Sequence, residues 1–462
     1  MLILRVRWHV GDSGLTNTGL ERINLAEVPR IITSIPGENS RKILQEQRKM
    51  ETETVTYPRS FPIAIKTANG SVIEDMDGNL YIDWFAGVSV LNLGYSNAIR
   101  KAIAGQLETV WHTMELPTEI RIEFLKEFRK SFPSGLRDYK TIFGISGADA
   151  CETAINLAHS ASGRDVPTIA FEGAYHGASG GIVSVTTGEN YRASVFSPGF
   201  KTVHVPYPYQ LWDGTDVSEV HEKLENIFSG THQNDGPDSL IVEPIQGEGG
   251  YVVPPHGFLK MLRDFCDDHQ LLMIVDEIQS GMGRTGRMWA FEHEGITPDV
   301  VCVGKSVGGG IPVSMVYYRS DLDGKLPTPF HMGTYRGNPL ALAAGVELLR
   351  EIPKHLGRVA TKGEELMRSF SGIESPLIAE VRGKGFMIGI ELAEDGKPLT
   401  KKRMLALKHT LLERGLMMHT CGKHSNVFRF MGALNIPDEL LAKGIKIFED
   451  GLNSNASFKQ VK

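Results

Sequence analysis

Between about residues 140 and 305 the chain alternates short apolar runs with stretches of helical period. The runs Lys140–Gly144, Thr168–Phe171, Lys201–Val205, Ser239–Val242, Leu271–Val275 and Asp299–Val303 have the length and bulk of buried strands. Strands alternating with helices predict a largely parallel sheet covered by helices. Upstream, residues 61–85 hold short alternating segments split by Asn69-Gly70 and Asp77-Gly78, which are hairpin turn signals. Helical patterns follow over Asn97–Val110 and Glu119–Ser131. Beyond Asn338 the pattern changes again, to helices over Leu340–Ile352 and Thr361–Phe370, a hairpin-like Ile378–Leu392, and helices over Lys401–Arg414 and Asp438–Leu452. The expected division is an extension (1–34), a segment joining the small domain (35–96), a large domain (97–338) and a small α+β domain (339–462).

Composition narrows the partners. The chain has 462 residues, 41% hydrophobic and 23% charged, with a formal net charge of −6. That size exceeds a single ordinary core and fits an enzyme subunit of two domains. The charge gives no electrostatic reason to expect nucleic acid or an anionic membrane as a partner. The four cysteines, Cys151, Cys266, Cys302 and Cys421, form no C-x-x-C pair, which argues against a disulfide framework or structural zinc and fits a reducing cytoplasm. In MLILRVRWHV the apolar start is broken by Arg5 and Arg7, so it does not read as a signal peptide. No apolar run approaches the ~20 residues of a membrane span. The expectation is a cytoplasmic protein.

In open α/β sheets ligands bind beyond the carboxyl ends of the strands, so the residues there are the ones to weigh. Ser146-Gly147-Ala148 opens a helix and offers free N–H groups to a phosphate, although an ordinary serine cap reads the same. Tyr175, in the glycine-bracketed EGAYHG, could lie on a planar ring or be satisfied in a buried loop. Glu243 and Glu248 stand in the glycine-rich EPIQGEGG, which could equally be a solvated loop. Asp276 ends an apolar strand, with Gln279 three residues on; a carboxylate there needs a cation or strong donors. Lys305 ends the next strand, where low dielectric favours loss of charge and hence Schiff-base chemistry, though most lysines are solvated surface groups.

Two nucleotide signatures fail on context. GMGRTG (281–286) matches G-x-G-x-x-G, but Asp276–Ser280 separate it from its strand and the next strand ends in lysine, not an acid. It is expected to be a tight loop lining the site. GKS (304–306) resembles a Walker A ending, but Asp299 stands where that motif needs glycine. A phosphate cradle, a stacking aromatic, an acid for a ring nitrogen and a strand-end lysine together match the needs of pyridoxal 5′-phosphate.

The segments SGADA, GAYHG, EPIQGEGG, IVDEIQSGMGRTG, GKSVGGG, GTYRGNP and VRGKGFMIG, in that order, resemble the class III (ω-amino acid) aminotransferases of pyridoxal-phosphate fold type I. The similarity runs from about residue 57 to 450. It implies an α/β fold with a mostly parallel seven-stranded sheet and a small α+β domain. It implies Lys305 as the Schiff-base lysine and proton shuttle, Asp276 at the pyridinium nitrogen, Gln279 at the phenolic oxygen and Tyr175 on the ring face. The phosphate would lie on Ser146, Gly147 and Ala148, with Thr334 supplied by the neighbouring subunit of a homodimer with shared active sites. Arg429 would bind a substrate carboxylate and Glu248 would mask it when an ω-amine enters. The implied reaction is a ping-pong transfer between amino acids and 2-oxo acids.

Three departures bear on substrate. Ala178 replaces the arginine that 4-aminobutyrate and ornithine enzymes carry, Val88 occupies the place of a substrate-binding tyrosine in ornithine enzymes, and Gly94-Tyr95-Ser96-Asn97-Ala98 replaces G-H-x-H-P. Diaminobutyrate aminotransferases lack that arginine too and share a segment like VPYPY (205–209). Archaeal-type amino-acid racemases also lack it, and racemisation is the alternative reading. Glu248 beside Arg429 favours a terminal-amine transaminase.

Overall fold

The computed structural model describes residues 24–456 except 53, 55, 193–198 and 230–234. Most of the expected N-terminal extension, residues 1–23, lies outside the described residues. The hairpin signals hold: β1 (Ile65–Asn69), β2 (Val72–Asp75) and β3 (Leu80–Asp83) form an antiparallel meander turning at Gly70 and Gly78, both with positive φ.

The apolar runs of the middle of the chain become β4 (Lys140–Gly144), β5 (Thr168–Phe171), β6 (Thr202–Val205), β7 (Ser239–Val242), β8 (Leu272–Asp276) and β9 (Val300–Val303). With β10 (Ser314–Tyr318) they make a seven-stranded sheet in the order β4-β10-β9-β8-β7-β5-β6. Strands β5 to β9 pair in parallel, while β10 runs antiparallel to both β9 and β4. The strand-and-helix alternation had no place for β10, because an antiparallel strand needs only a turn and no crossover helix. Here the glycine-rich stretch after Lys305 makes that turn. β5, β7, β9 and β10 are buried along their whole length, as strands covered on both faces must be.

Beyond the helices Pro339–Glu351 and Leu356–Ser371, β11 (Ile378–Lys384) and β12 (Met387–Glu394) form the expected hairpin. The short β13 (Lys397–Pro398), β15 (His419–Cys421) and β16 (Val427–Phe430) complete a five-stranded sheet. β14 (Leu416–Met417) pairs in parallel with β3, so the two ends of the chain share a sheet. No helix among the described residues is long and apolar enough to cross a membrane.

The C-terminal helix Asp438–Ala456 closes over Trp84, which is fully buried and meets the Phe430 ring edge-on at 4.9 Å. The approach depends on a glycine: a Cβ on Gly444 would lie 2.1 Å from Trp84 Cζ2. Gly444→Ala is therefore expected to destabilise the protein by ~1–3 kcal/mol through overpacking. Gly357→Ala is the control, on the exposed face of a helix with open space around its Cβ. It should be neutral or slightly stabilising. Denaturant unfolding of both variants checks the contrast.

Candidate active site

The two acids after the strand LMIV divide between cleft and core. Asp276 ends β8, is 4% exposed, and borders the cleft at the carboxyl edge of the sheet. Its Oδ2 accepts from His176 Nδ1 at 2.8 Å and from the Cys151 thiol at 3.4 Å, and its Oδ1 accepts from Ile278 N at 3.0 Å. Burial alone would lower the His176 pKa, but the hydrogen bonds and charges of Asp276 and Cys151 together outweigh it and raise the imidazole to about 10. The His176 imidazole thus backs the carboxylate from behind. Glu277 turns into the core, where Ser280 Oγ and Phe291 N donate to it at 2.7 and 2.8 Å. Burial pushes its pKa up to about 7.

The cleft has a volume of about 420 Å³, and the ends of five strands contribute to it. Lys305 follows β9 and Gly304 and sits in the left-handed region at φ 48°, a strained position for a lysine. Burial lowers its pKa, opposed by Glu248, Asp276 and Glu243. Ser146 caps the helix Gly147–Ser162 after β4, its Oγ accepting from Asp149 N at 3.2 Å. The N–H groups of Gly147 and Ala148, in the first turn of that helix, have no acceptor within it. The helix start is closely packed: a Cβ on Gly147 would lie 3.0 Å from Ile278 Cδ1. Tyr175 lines the cleft and donates its backbone N–H to Glu243 at 2.9 Å, while Gly247 N donates to the other oxygen at 2.9 Å. Burial raises Glu243 to about 7. Gln279 also lines the cleft, and its Oε1 is buried without a hydrogen-bond partner in the protein.

Arg429 projects from β16, fully buried, and forms an ion pair with Glu248 at the edge of the cleft. Burial would raise the Glu248 pKa, but Arg429 holds it below the usual carboxylate range and is itself raised by Glu248. The second oxygen of Glu248 accepts from Tyr191 Oη at 2.9 Å, and Arg429 Nη2 lies 3.2 Å from His419 Nδ1. Burial and Arg429 depress His419 to about 3, so this imidazole is neutral.

Two expected residues and one expected loop stand elsewhere. Thr334 is exposed in the loop before Asn338 and does not line this chain's cleft. That loop is tied to the cleft's helix through Asp149, which pairs with His331 at 2.8 Å and Arg336 at 3.2 Å. Val88 does not line the cleft either. It lies in a left-handed turn, Ala86 to Ser89, that packs it against the apolar group containing Tyr251, Cys421 and Val427. The GMGRTG loop is tight, with positive φ at Gly283 and Gly286, but it does not line the site: the lining ends at Gln279. Its Arg284 is fully buried, donating to Gly432 O at 2.6 Å and to Asn92 Oδ1, while Asn92 donates to Met282 O at 2.8 Å. The loop therefore clamps residues near 92 to the segment after β16. Its composition signals glycine turns, whereas its role follows from a long-range contact.

Residues that sequence reasoning did not single out include Cys151, Tyr191 and His419. His176 was visible beside Tyr175 in a strand-end loop. The other three reach the site through tertiary contacts that leave no local pattern.

Residues 55–452 match the family model of class III aminotransferases. The chain belongs to this family. A diaminobutyrate–2-oxoglutarate aminotransferase of Rhizobium meliloti is 35% identical over 421 residues, covering 86% of this chain and 89% of the relative. A 5-aminovalerate aminotransferase of Pseudomonas aeruginosa is 35% identical over 403 residues, covering 84% and 93% respectively. Among solved structures, ornithine aminotransferase from Toxoplasma gondii superposes with a TM-score of 0.78 at 26% identity, covering 92% of this chain and 97% of that one. The chain is thus an aminotransferase with the α/β fold expected, and its cofactor is pyridoxal phosphate. The cleft fits that group: a helix N-terminus for a phosphate, a buried carboxylate for a ring nitrogen, an unpartnered buried amide oxygen and an amine of depressed pKa all border one volume.

Glu277 offers a pH test of its placement in the core. Its folded pKa of about 7 lies above the ordinary 4.5, so the unfolded chain releases this proton first as pH rises. The stability that the neutral acid provides is present below about 4.5 and lost as pH rises through about 7. Glu277→Gln removes the titration. Its stability relative to the parent chain should rise by on the order of 2 kcal/mol between about pH 5 and about pH 8. Thermal unfolding at the two pH values tests this, and an unchanged difference would contradict the placement.

Proposed function

We propose that this aminotransferase moves the terminal amino group of an ω-amino or diamino acid, of the diaminobutyrate, 4-aminobutyrate or ornithine type, to a 2-oxo acid, with 2-oxoglutarate the favoured acceptor. The observation that carries the reading is the Glu248–Arg429 ion pair at the edge of the cleft that holds Lys305 and Asp276. With Glu248 in place the arginine is masked and an uncharged chain bearing a terminal amine can approach. With Glu248 displaced, Arg429 offers a fork for the carboxylate of a 2-oxo acid. Relatives named for diaminobutyrate and for 5-aminovalerate support a terminal-amine donor.

Pyridoxal phosphate, when bound, supplies a carbonyl that takes up the amino group and a ring that accepts the electron pair released at the substrate carbon. Ser146, Gly147 and Ala148 would hold its phosphate, Asp276 its ring nitrogen, Gln279 its phenolic oxygen, Tyr175 its ring face and Lys305 its aldehyde. Asp276 would pair with the protonated ring nitrogen through its buried carboxylate, which the hydrogen bond from His176 orients from behind. Lys305 takes a proton from the substrate carbon and returns one in the reverse half, and its lowered pKa makes the free amine available. Glu243 fixes the backbone of Tyr175 and Gly247, so the aromatic and the gate loop are held by one carboxyl group.

We further propose a cytoplasmic homodimer in which Thr334 completes the partner's phosphate site. Support comes from the exposed apolar side chains of Trp111, Met114, Leu116, Met332 and Tyr335, near exposed Thr334. They belong to one surface, since Asn338 Nδ2 donates to Trp111 O at 3.1 Å and His112 meets Tyr335 at 5.6 Å. Neighbouring exposed apolar side chains of this kind mark a candidate protein–protein interface. All four cysteines are free and buried, in keeping with a reducing compartment.

The deciding experiment incubates holoenzyme with single amino donors, with and without 2-oxoglutarate. Amino transfer that requires the oxo acid is expected. A D-enantiomer appearing without it would establish racemisation instead. Lys305→Ala should lose the visible cofactor absorbance and slow transfer by ~10²-fold or more; survival of the absorbance would remove Lys305 from its role.

A further inference from the structure

We propose that Tyr191 is the latch of the Glu248–Arg429 gate: its hydroxyl holds Glu248 over Arg429 and so sets the preference between terminal amines and substrates that lead with a carboxylate. The proposal rests on the gating role given above to that ion pair.

The carboxylate of Glu248 has two strong donors, one on each oxygen. Arg429 occupies Oε1, and the Tyr191 hydroxyl donates to Oε2 at 2.9 Å. Arg429 is the group that must be uncovered, so Tyr191 is the contact that opposes uncovering it. Opening the gate breaks two charge-assisted hydrogen bonds, not one. Tyr191 is well suited to remain a donor, because burial and the neighbouring Glu248 push its phenol pKa up.

Its position is fixed from two further sides. The Tyr191 ring lies 4.6 Å from that of Tyr175, which lines the cleft, with the planes 58° apart. Beneath it the chain carries Gly188, where a Cβ would come within 2.8 Å of Tyr191 Cδ2. The backbone N–H of Tyr191 donates to Gly188 O at 2.9 Å, closing the turn that turns the ring back over this glycine. The latch thus comes from the connection between β5 and β6, whereas Arg429 comes from β16, and Glu248 bridges them from the loop after β7.

The test measures the two half-reactions of holoenzyme separately by cofactor absorbance, with 5-aminovalerate as terminal amine and 2-oxoglutarate and L-glutamate as carboxylate-first substrates. Tyr191→Phe removes only the hydroxyl. It should lower KM for 2-oxoglutarate and shift the ratio of kcat/KM for L-glutamate over 5-aminovalerate upward by about tenfold. Gly188→Ala, which displaces the ring and keeps the hydroxyl, should shift the ratio the same way. In a Glu248→Ala background Tyr191→Phe should add nothing, because the contact is already gone. If Glu248→Ala shifts the ratio but Tyr191→Phe leaves it unchanged, or lowers both substrates alike, the latch is overturned while the gate stands. If Arg429→Ala leaves KM for 2-oxoglutarate unaltered, the gate itself falls and takes the latch with it.

Discussion

A carboxylate at the end of a buried parallel strand is the constraint around which this site is arranged. Asp276 leaves β8 with almost no access to water, where an ionised acid needs compensating donors. The protein supplies His176 from the loop after β5, Cys151 from the helix after β4 and the backbone of Ile278. Connections following three non-adjacent strands, β4, β5 and β8, are therefore drawn to one point at the carboxyl edge of the sheet. The same convergence brings Ser146, Tyr175 and Lys305 around a common cleft. Satisfying one buried charge and assembling the site are a single geometric requirement.

Charge is handled differently a short distance away. Arg429 is as buried as Asp276, and its compensating acid, Glu248, comes from another part of the chain. Removing either partner of such a pair leaves an uncompensated charge in low dielectric, which is costly unless another ion takes its place. A substrate carboxylate is such an ion. In the proposed gating role, the pair would store the driving force for recognising one kind of substrate and release it only on exchange. His419, driven neutral beside Arg429, adds polar contact without adding a second cation.

Much of this was legible in the chain, for physical reasons that differ by residue. The parallel strands announced themselves as apolar runs because burial on both faces leaves no room for polar alternation, and their ends pointed to Asp276, Tyr175 and Lys305. β10 escaped because its antiparallel entry through a glycine turn breaks the strand-and-helix rhythm. The GMGRTG glycines were legible as turns, but the burial of Arg284 against Asn92 and Gly432 depends on segments about 190 and 150 residues away, a separation no local period encodes. Val88 illustrates the same limit: aligned with a substrate-binding position, it is carried by a left-handed turn into an apolar cluster. That turn is held by Asp83, whose Oδ1 accepts from Phe85 N and Ala86 N at 2.8 Å each.

The surroundings of Glu248 limit how its carboxylate can move. Glu248 is anchored through its main chain, where Gly422 N donates to its carbonyl at 2.9 Å. Two residues on, Arg382 donates to Gly250 O at 2.5 Å and to Tyr251 O at 3.2 Å, and its own charge is met by Glu391 at 2.6 Å. Gly422 and Gly250 are packed so closely that a Cβ on Gly250 would lie 3.3 Å from Gly422 Cα. The backbone from Glu248 to Tyr251 is thus fixed by the five-stranded sheet. Displacing its carboxylate from Arg429 falls to the side-chain torsions, which keeps the exchange local and leaves the cleft wall intact. If the pair gates as proposed, an exchange confined to the Glu248 side chain leaves Lys305 and Asp276 undisturbed, and a ping-pong enzyme using one cleft for two dissimilar substrates requires that separation.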